Sequence, residues 1–549
     1  MLLLMRIISV VPRTKVRRVV PVVALLMTCV LPSLAKVKGS GDFNGDGYAD
    51  LCIGVPQYTI GTKTGAGGVN CLYGSASGLQ ATGSPAAQLW TRDTDGVQGH
   101  SEKNDGFGWS IAAGDFNGDG YDDICIGIPS EIVLGTNEYG AVNCLYGSAA
   151  GLQATGIGGP APQHWDALNT GLNAGTSFGE SLVAGDFNHD GYADLCIGIP
   201  NHTVSGYEQA GEVDCLYGSP SGLQAAGAQA WNRATPGIGG NPAVDEIFGQ
   251  SVVAGDFNGD GFDDLCIGVP FDTPPTVSQG GVNCIYGSAT GLQAKGGNGG
   301  VASQYWYPGV ASLKGGLGDA PDEFGTALAV GDFNHDGYAD LAIGSPQDFF
   351  VGDNVSTGKV NILYGSPTGL QDTGSGAPDD QLWSRDTSSV KGTSGPGWAF
   401  GNAMTAGDFN NDGYDDLCIG VPYASGHAAN GGSINCLYGS VTGLQATGTG
   451  APDDQLWDQD SPGVIGVTEE NDAFGSALSA GDFNGDGFLD LAVGVPGENS
   501  GAGGINVLYG SATGLQSTGT GGPQDQFWRQ GSNGVPGSGG GSFGYSLSH

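Results

Sequence analysis

The stretch Phe107-Gly108-Trp109-Ser110-Ile111-Ala112-Ala113-Gly114-Asp115-Phe116-Asn117-Gly118-Asp119-Gly120-Tyr121-Asp122-Asp123-Ile124-Cys125-Ile126-Gly127-Ile128-Pro129 decides the fold. It holds two short apolar runs around a loop in which acidic residues and glycines alternate. Apolar runs this short, one ending at Gly-x-Pro, read as strands and not as helices. The loop reads as a tight turn, because glycine adopts backbone angles that other residues resist.

The same unit recurs along the chain. Its loop starts at Asp42, Asp115, Asp186, Asp256, Asp332, Asp408 and Asp482, at intervals of 73, 71, 70, 76, 76 and 74 residues. After each loop come GxVNCLYGSxxGLQ or a close variant, and then QxW. Strand A is expected at Trp109–Ala113, strand B at Leu51–Val55, strand C at Val69–Tyr73, and strand D ending at Trp90. A repeat of this length suits a four-stranded antiparallel sheet, and no helix-period segment of useful length interrupts the series. The fold class is therefore all-β. Asp42 has no Phe-Gly eight residues before it, whereas Ser542-Phe543-Gly544-Tyr545-Ser546-Leu547 has no loop after it. A closed seven-bladed β-propeller follows, with the C-terminal strand completing the first blade.

The loop carries the chemistry. Positions 1, 3, 5 and 9 offer Asp, Asn, Asp and Asp, and the position-7 carbonyl offers a further oxygen. The first set is Asp42, Asn44, Asp46, Tyr48 and Asp50; the second is Asp115, Asn117, Asp119, Tyr121 and Asp123. Then come Asp186, Asn188, Asp190, Tyr192 and Asp194, followed by Asp256, Asn258, Asp260, Phe262 and Asp264. The last three are Asp332, Asn334, Asp336, Tyr338 and Asp340; Asp408, Asn410, Asp412, Tyr414 and Asp416; and Asp482, Asn484, Asp486, Phe488 and Asp490. Alternate oxygens around a glycine turn suit Ca²⁺, which takes six to eight oxygen ligands; Mg²⁺ usually retains several waters. Position 12 holds Ile53 and not Glu, and the flanks are strands, so this is not an EF-hand. A metal-free Asx turn would explain the glycines, but not three carboxylates that would repel one another seven times over. About seven calcium ions are expected.

Bulk charge agrees. The chain of 549 residues has a net charge of −39. Residues 1–35 read as a secretory signal peptide: Arg13, Lys15, Arg17 and Arg18, the apolar run Val19 to Leu31, then Ser33-Leu34-Ala35. That segment holds five basic and no acidic residues, so residues 36–549, the expected propeller, carry −44. Such a surface repels nucleic acid and anionic membrane. Export, to the medium or the cell surface, is expected, with no transmembrane segment and a monomeric chain.

Ten cysteines follow Cys29, one in strand B and one in strand C of five units: Cys52/Cys71, Cys125/Cys144, Cys196/Cys215, Cys266/Cys284 and Cys418/Cys436. Ala342 and Ile362 replace both members in the fifth unit, and Ala492 and Val507 in the seventh. Joint presence or absence, in an exported chain, points to five cross-strand disulfides.

Phe107-Gly108, the loop Asp115–Asp123 and Gly127-Ile128-Pro129 together resemble FG-GAP repeats, which build the β-propeller of integrin α subunits. The resemblance covers 36–549. It implies calcium in the A–B loops on one face and ligand binding by the D–A and B–C loops on the other. In integrins only some blades carry the loop; here all seven do. No leg or inserted adhesion domain is evident, so integrin-type ligand recognition is not carried over.

No HxxxH pair or phosphate-binding loop occurs, and the seven histidines are scattered, so no enzymatic activity is expected. His189 and His335 read as solvent-facing loop residues. Trp90, Trp165, Trp231, Trp306, Trp383, Trp457 and Trp528 recur at strand D and read as blade packing, with sugar platforms as the alternative. Candidate ligand residues are those that do not repeat: Tyr58, Tyr139, Tyr207, Phe271, Phe349, Phe350 and Tyr423 in B–C loops, and Arg92, Arg233 and Arg385 in D–A links. The expected function is a non-enzymatic extracellular binding or adhesion module for a protein or glycan. A carbohydrate-binding or carbohydrate-cleaving propeller is the alternative, and a purely structural envelope protein a third.

Overall fold

The middle of strand B is an unbroken apolar run because a blade of a propeller is covered on both faces. In the computed structural model Asp194–Ile199, Asp264–Val269 and Asp416–Val421 are buried at every residue. The structure describes residues 41–132, 139–156, 159–166, 168–172, 176–273, 279–296, 300–310, 312–315, 322–347, 357–374, 378–448, 452–519 and 522–548. The signal-peptide segment 1–35, Phe349, Phe350, His549 and the side chain of Tyr139 lie outside them.

Blade 2 shows the plan: strand A Ile111–Gly114, strand B Asp123–Ile132, strand C Tyr139–Leu145 and strand D Gln163–Asp166, each antiparallel to the next. Blades 3 to 7 repeat it, starting at Ser181, Val252, Ala327, Met404 and Leu478. Strand A begins two residues later than Trp109. Gly108 turns the chain there with a φ of 91°, and Ser110 Oγ donates to Gly179 O of blade 3 at 2.8 Å.

Blade 1 takes its inner strand from the end of the chain. Ser546–Leu547 pairs antiparallel with Leu51–Gly54, which pairs in turn with Val69–Leu72 and Gln88–Trp90. The seven-bladed ring is closed. Its core lies between blades, and the closing junction is packed like the others: Leu51, Ile53 and Leu547 share a cluster with Phe483, Tyr509 and Trp528.

The five expected cysteine pairs are disulfides between register partners of strands B and C. They are Cys52–Cys71, Cys125–Cys144, Cys196–Cys215, Cys266–Cys284 and Cys418–Cys436, each with a Cα–Cα distance of 4.1 Å. Cys71, Cys144, Cys215, Cys284 and Cys436 on strand C are fully buried, as are their partners Cys52, Cys125, Cys196, Cys266 and Cys418 on strand B. The pairs staple the middle of each blade and contribute nothing to a binding surface, so they belong to the scaffold and not to a functional site.

A further clasp accounts for the YGSxxGLQ motif. The Tyr73 hydroxyl donates to Gln88 Oε1 and accepts the Leu152 amide of blade 2 at 3.1 Å, while Gln88 Nε2 donates to Leu152 O at 3.1 Å. Gly151 has a φ of 83°, and a Cβ there would stand 2.1 Å from Tyr73 Oη, so only glycine admits the neighbour's phenol. Tyr217 with Leu292, Tyr286 with Leu370 and Tyr438 with Leu515 repeat the bond. Gln526 Nε2 carries the clasp across the closure to Ser77 O at 3.2 Å.

Candidate functional site

The A–B loops fall on one face of the ring and the D–A links on the other, because the four strands alternate in direction. In the first loop Asp42 Oδ1 accepts the Asp46 amide at 3.1 Å and Oδ2 that of Gly47 at 2.9 Å. Asn44 Oδ1 accepts the Asp46 amide at 2.8 Å, and Asp46 Oδ1 that of Tyr48 at 3.0 Å. Gly47 turns the chain with a φ of 91°. The later loops repeat these bonds, for example from Asp119 to Asp115 and Asn117, and from Asp486 to Asp482 and Asn484.

Position 9 has a structural role that the sequence did not reveal. Asp50 is fully buried; Oδ2 accepts the Phe43 amide at 2.9 Å and Oδ1 the Gly74 amide at 2.8 Å, tying the loop to the end of strand C. Asp123, Asp194, Asp264, Asp340, Asp416 and Asp490 do the same. Burial, with the like charges at positions 1 and 5, pushes all seven carboxyls above their ordinary range, Asp194 and Asp264 to about 8.

Among the described residues no three acidic, histidine or cysteine side chains form a ready coordination sphere. The oxygens are turned instead to backbone amides, as repelling carboxylates would be. The donor chemistry nevertheless fits a hard divalent cation. The charges acting on each position-9 carboxylate from its own loop are both negative, and in the third loop Asn188 Oδ1 is a buried acceptor with no partner among the described residues. Asp42, Asn44, Asp46 and Asp50 and their counterparts would hold such an ion.

Loops also touch round the ring. His189 and His335 are exposed, and their rings meet Phe262 and Tyr414 of the next blade edge-on at 5.7 Å.

On the opposite face several expected ligand residues prove to be internal. Arg92, Arg233 and Arg385 are only 3 %, 5 % and 8 % exposed. Arg92 pairs with Asp105 at 3.1 Å and with Glu131; Arg233 pairs with Glu246 at 3.1 Å and Asp272 at 2.6 Å. Arg385 donates to Asn435 and Ser433. A guanidinium so enclosed holds its D–A link against neighbouring loops and is not presented to a ligand. Trp90, Trp165, Trp231, Trp306 and Trp528 are buried and Trp383 and Trp457 half-buried, which supports packing over sugar platforms. Tyr207, Phe271 and Tyr423 are exposed and Tyr58 half-buried.

The inner strands line a central channel of about 490 Å³, apolar within through Ile111, Leu182, Val252, Leu328, Met404 and Leu478. At its mouth, away from the acidic loops, stands the residue after Phe-Gly in five of the seven copies: Trp109, Glu180, Gln250, Thr326 and Tyr545. The Phe-Gly before them is constant and the residue after them is Ser or Ala, whereas these differ from blade to blade. Trp109 and Tyr545 have ring centroids 4.9 Å apart and planes inclined by 50°. Glu180 hydrogen-bonds the Trp109 side chain, and burial pushes its carboxyl up to about 7. An aromatic pair beside a half-buried carboxyl can bind a sugar ring or a cationic group. The sequence signal was present in the variable position after Phe-Gly, but its convergence on a channel was not.

The FG-GAP repeat model matches seven segments: 39–69, 107–142, 178–214, 248–282, 324–376, 400–434 and 474–508. The chain is an FG-GAP repeat protein. Among curated relatives, integrin alpha-PS2 of Drosophila melanogaster is 31 % identical over 255 residues, 46 % of this chain and 16 % of that protein. Integrin alpha-8 of Mus musculus is 31 % identical over 235 residues, 42 % of this chain and 19 % of its own length. Phosphatidylinositol-glycan-specific phospholipase D of Rattus norvegicus is 32 % identical over 174 residues, 31 % of this chain and 18 % of its length. The matches thus span less than a fifth of these relatives. Of solved structures, the Dos1 propeller matches 86 % of this FG-GAP chain and 85 % of its own, at a TM-score of 0.34 and 11 % identity. No helix among the described residues is long and apolar enough to cross a membrane.

Proposed function

We propose that this protein is an exported, calcium-stabilised propeller that acts as an extracellular binding module, with its ligand at the channel mouth opposite the calcium loops. The observation that carries the reading is the mouth itself. Trp109, Glu180 and Tyr545 come from three adjacent blades and occupy the position after Phe-Gly, which differs in all seven copies. The acidic loops recur in every blade and are a scaffold device: a cation there neutralises buried carboxylates that are otherwise balanced only by backbone amides. Kinship with integrin alpha chains supports an adhesive role.

The aromatic pair favours one second reading, a glycan ligand. Cleavage finds less support, since glycoside hydrolysis generally uses two carboxyl groups and Glu180 is the one acidic residue lining the channel among the described residues. The phospholipase D relatives carry an enzyme's name, and whether this chain shares any such activity is a question for the same assay.

The test is a glycan array and a panel of extracellular matrix proteins probed with calcium-loaded protein, with Trp109→Ala and Tyr545→Ala alongside and hydrolytic products monitored. Saturable binding that both substitutions weaken is the expected result. Unaltered binding in both variants would place the ligand elsewhere, and turnover would overturn the non-enzymatic reading.

A further inference from the structure

Position 8 of the acidic loop lies between two expected ligands, the carbonyl at position 7 and the carboxylate at position 9. Around the ring it reads Ala49, Asp122, Ala193, Asp263, Ala339, Asp415, Leu489, so that acid appears in every second blade. The backbone there behaves identically in all seven. Its amide donates to the position-1 carbonyl of the preceding loop, from Asp122 to Asp42 at 3.1 Å round to Ala49 and Asp482 at 2.9 Å.

The side chains differ. Asp122 Oδ2 accepts the Asp42 amide, Asp263 Oδ2 that of Asp186 and Asp415 Oδ2 that of Asp332, each at 2.8 Å. Alanine and leucine have no oxygen to offer, so Asp115, Asp256, Asp408 and Asp482 receive no such bond from the next blade. Leu489 instead sets its Cδ1 against Gly407, the residue before the preceding loop. Three junctions between loops are held twice, and four once.

We propose that Asp122, Asp263 and Asp415 couple the calcium loops in pairs, blade 1 with 2, 3 with 4 and 5 with 6, so that ions bind cooperatively within each pair while the loop of blade 7 binds alone. This rests on the calcium reading of the loops. An ion that gathers position 1 of one loop fixes the amide held by the partner's Asp. That Asp is bonded covalently to ligands 7 and 9 of its own loop, so ordering one loop orders the other, and the coupling is reciprocal. Its negative charge between the two sites also offsets repulsion between the ions.

The test is a calcium titration by calorimetry on the full mature protein freed of metal, with bound ions counted independently. Asp122→Ala, Asp263→Ala and Asp415→Ala, made together, introduce the residue that three other junctions already carry. The expected result is an unchanged number of ions, a Hill coefficient falling from above one to about one, and a second ion of each pair bound about fivefold or more weakly. Equal steepness in parent and variant overturns the pairing. A parent protein that binds no calcium overturns the calcium reading and the pairing with it. Should the triple variant not fold, Ala193→Asp, which supplies a link between blades 2 and 3, is expected to steepen the curve, and an unchanged curve counts against the proposal.

Discussion

Ile53 and Leu547 are antiparallel register partners, so the ring closes through residues 494 positions apart in the chain. Leu547 is buried in the junction between blades 1 and 7, and the Ser548 hydroxyl accepts the Cys52 amide at 3.1 Å. Leu547→Ala is expected to cost about 2–5 kcal/mol, the range for truncating a buried leucine. Chemical denaturation measures it, and a loss within error of zero would show that the closure carries no stability.

The two blades without disulfides keep the register of the five that have them. Ala342 faces Ile362 just as Cys52 faces Cys71, and Ala492 faces Val507. Ala342→Cys with Ile362→Cys should therefore form a sixth disulfide on oxidation, worth about 3 kcal/mol by loop-closure entropy. Thiol titration before and after unfolding, with the melting temperature, checks both parts.

Blade 3 differs from the rest in strand C. Asn70, Asn143, Asn283, Asn361, Asn435 and Asn506 each donate Nδ2 to a carbonyl of a D–A link, from Pro536 for Asn70 to Ile465 for Asn506. The same place holds Asp214, fully buried, with neither oxygen partnered among the described residues and its carboxyl pushed far up by burial and then by Glu212. A folded-state pKa above the unfolded value gives stability that is present in acid and lost as pH rises. Asp214→Asn should stabilise the protein at neutral pH by about 1–3 kcal/mol, the cost of an unsatisfied buried group. The gain should shrink towards pH 4. Equal gains at both pH values would contradict this account.

The metal-free protein should respond to pH in the same sense. Asp194 and Asp264 have carboxyls raised to about 8, and five counterparts are raised well above their ordinary range. Because the folded state then holds more protons than the unfolded chain, its stability falls as pH climbs from about 4 to about 8. Calcium would replace those protons, so the rise in melting temperature on adding calcium should be larger at pH 8 than at pH 5. A rise independent of pH would argue that the position-9 carboxylates do not titrate.

Much of this was legible in the residues, because each blade repeats the same local chemistry. The acidic loop, the Gly-x-Pro end of strand B, the paired cysteines and the spare Phe-Gly near His549 predict strands, disulfides and closure without coordinates. What remained hidden depends on the neighbouring blade. Gly151 looks like a turn residue until Tyr73 is seen against it, and Asp50 looks like a ligand alone until its bonds to Phe43 and Gly74 are drawn. Arg92, Arg233 and Arg385 misled because a place in a variable link says nothing about burial, and the carboxylate partners of Arg92 and Arg233 lie 13 residues or more away. Trp109 and Tyr545 are 436 positions apart in sequence and 4.9 Å apart in space.

The central claim is that the seven acidic loops hold calcium as part of the folded scaffold. It is tested most directly by counting calcium bound at saturation to the metal-free protein while its melting temperature is followed. The account predicts about seven ions per chain, one for each loop, and a melting temperature that rises as they bind. A protein that takes up none, and melts at one temperature with calcium or with excess chelator, would contradict it.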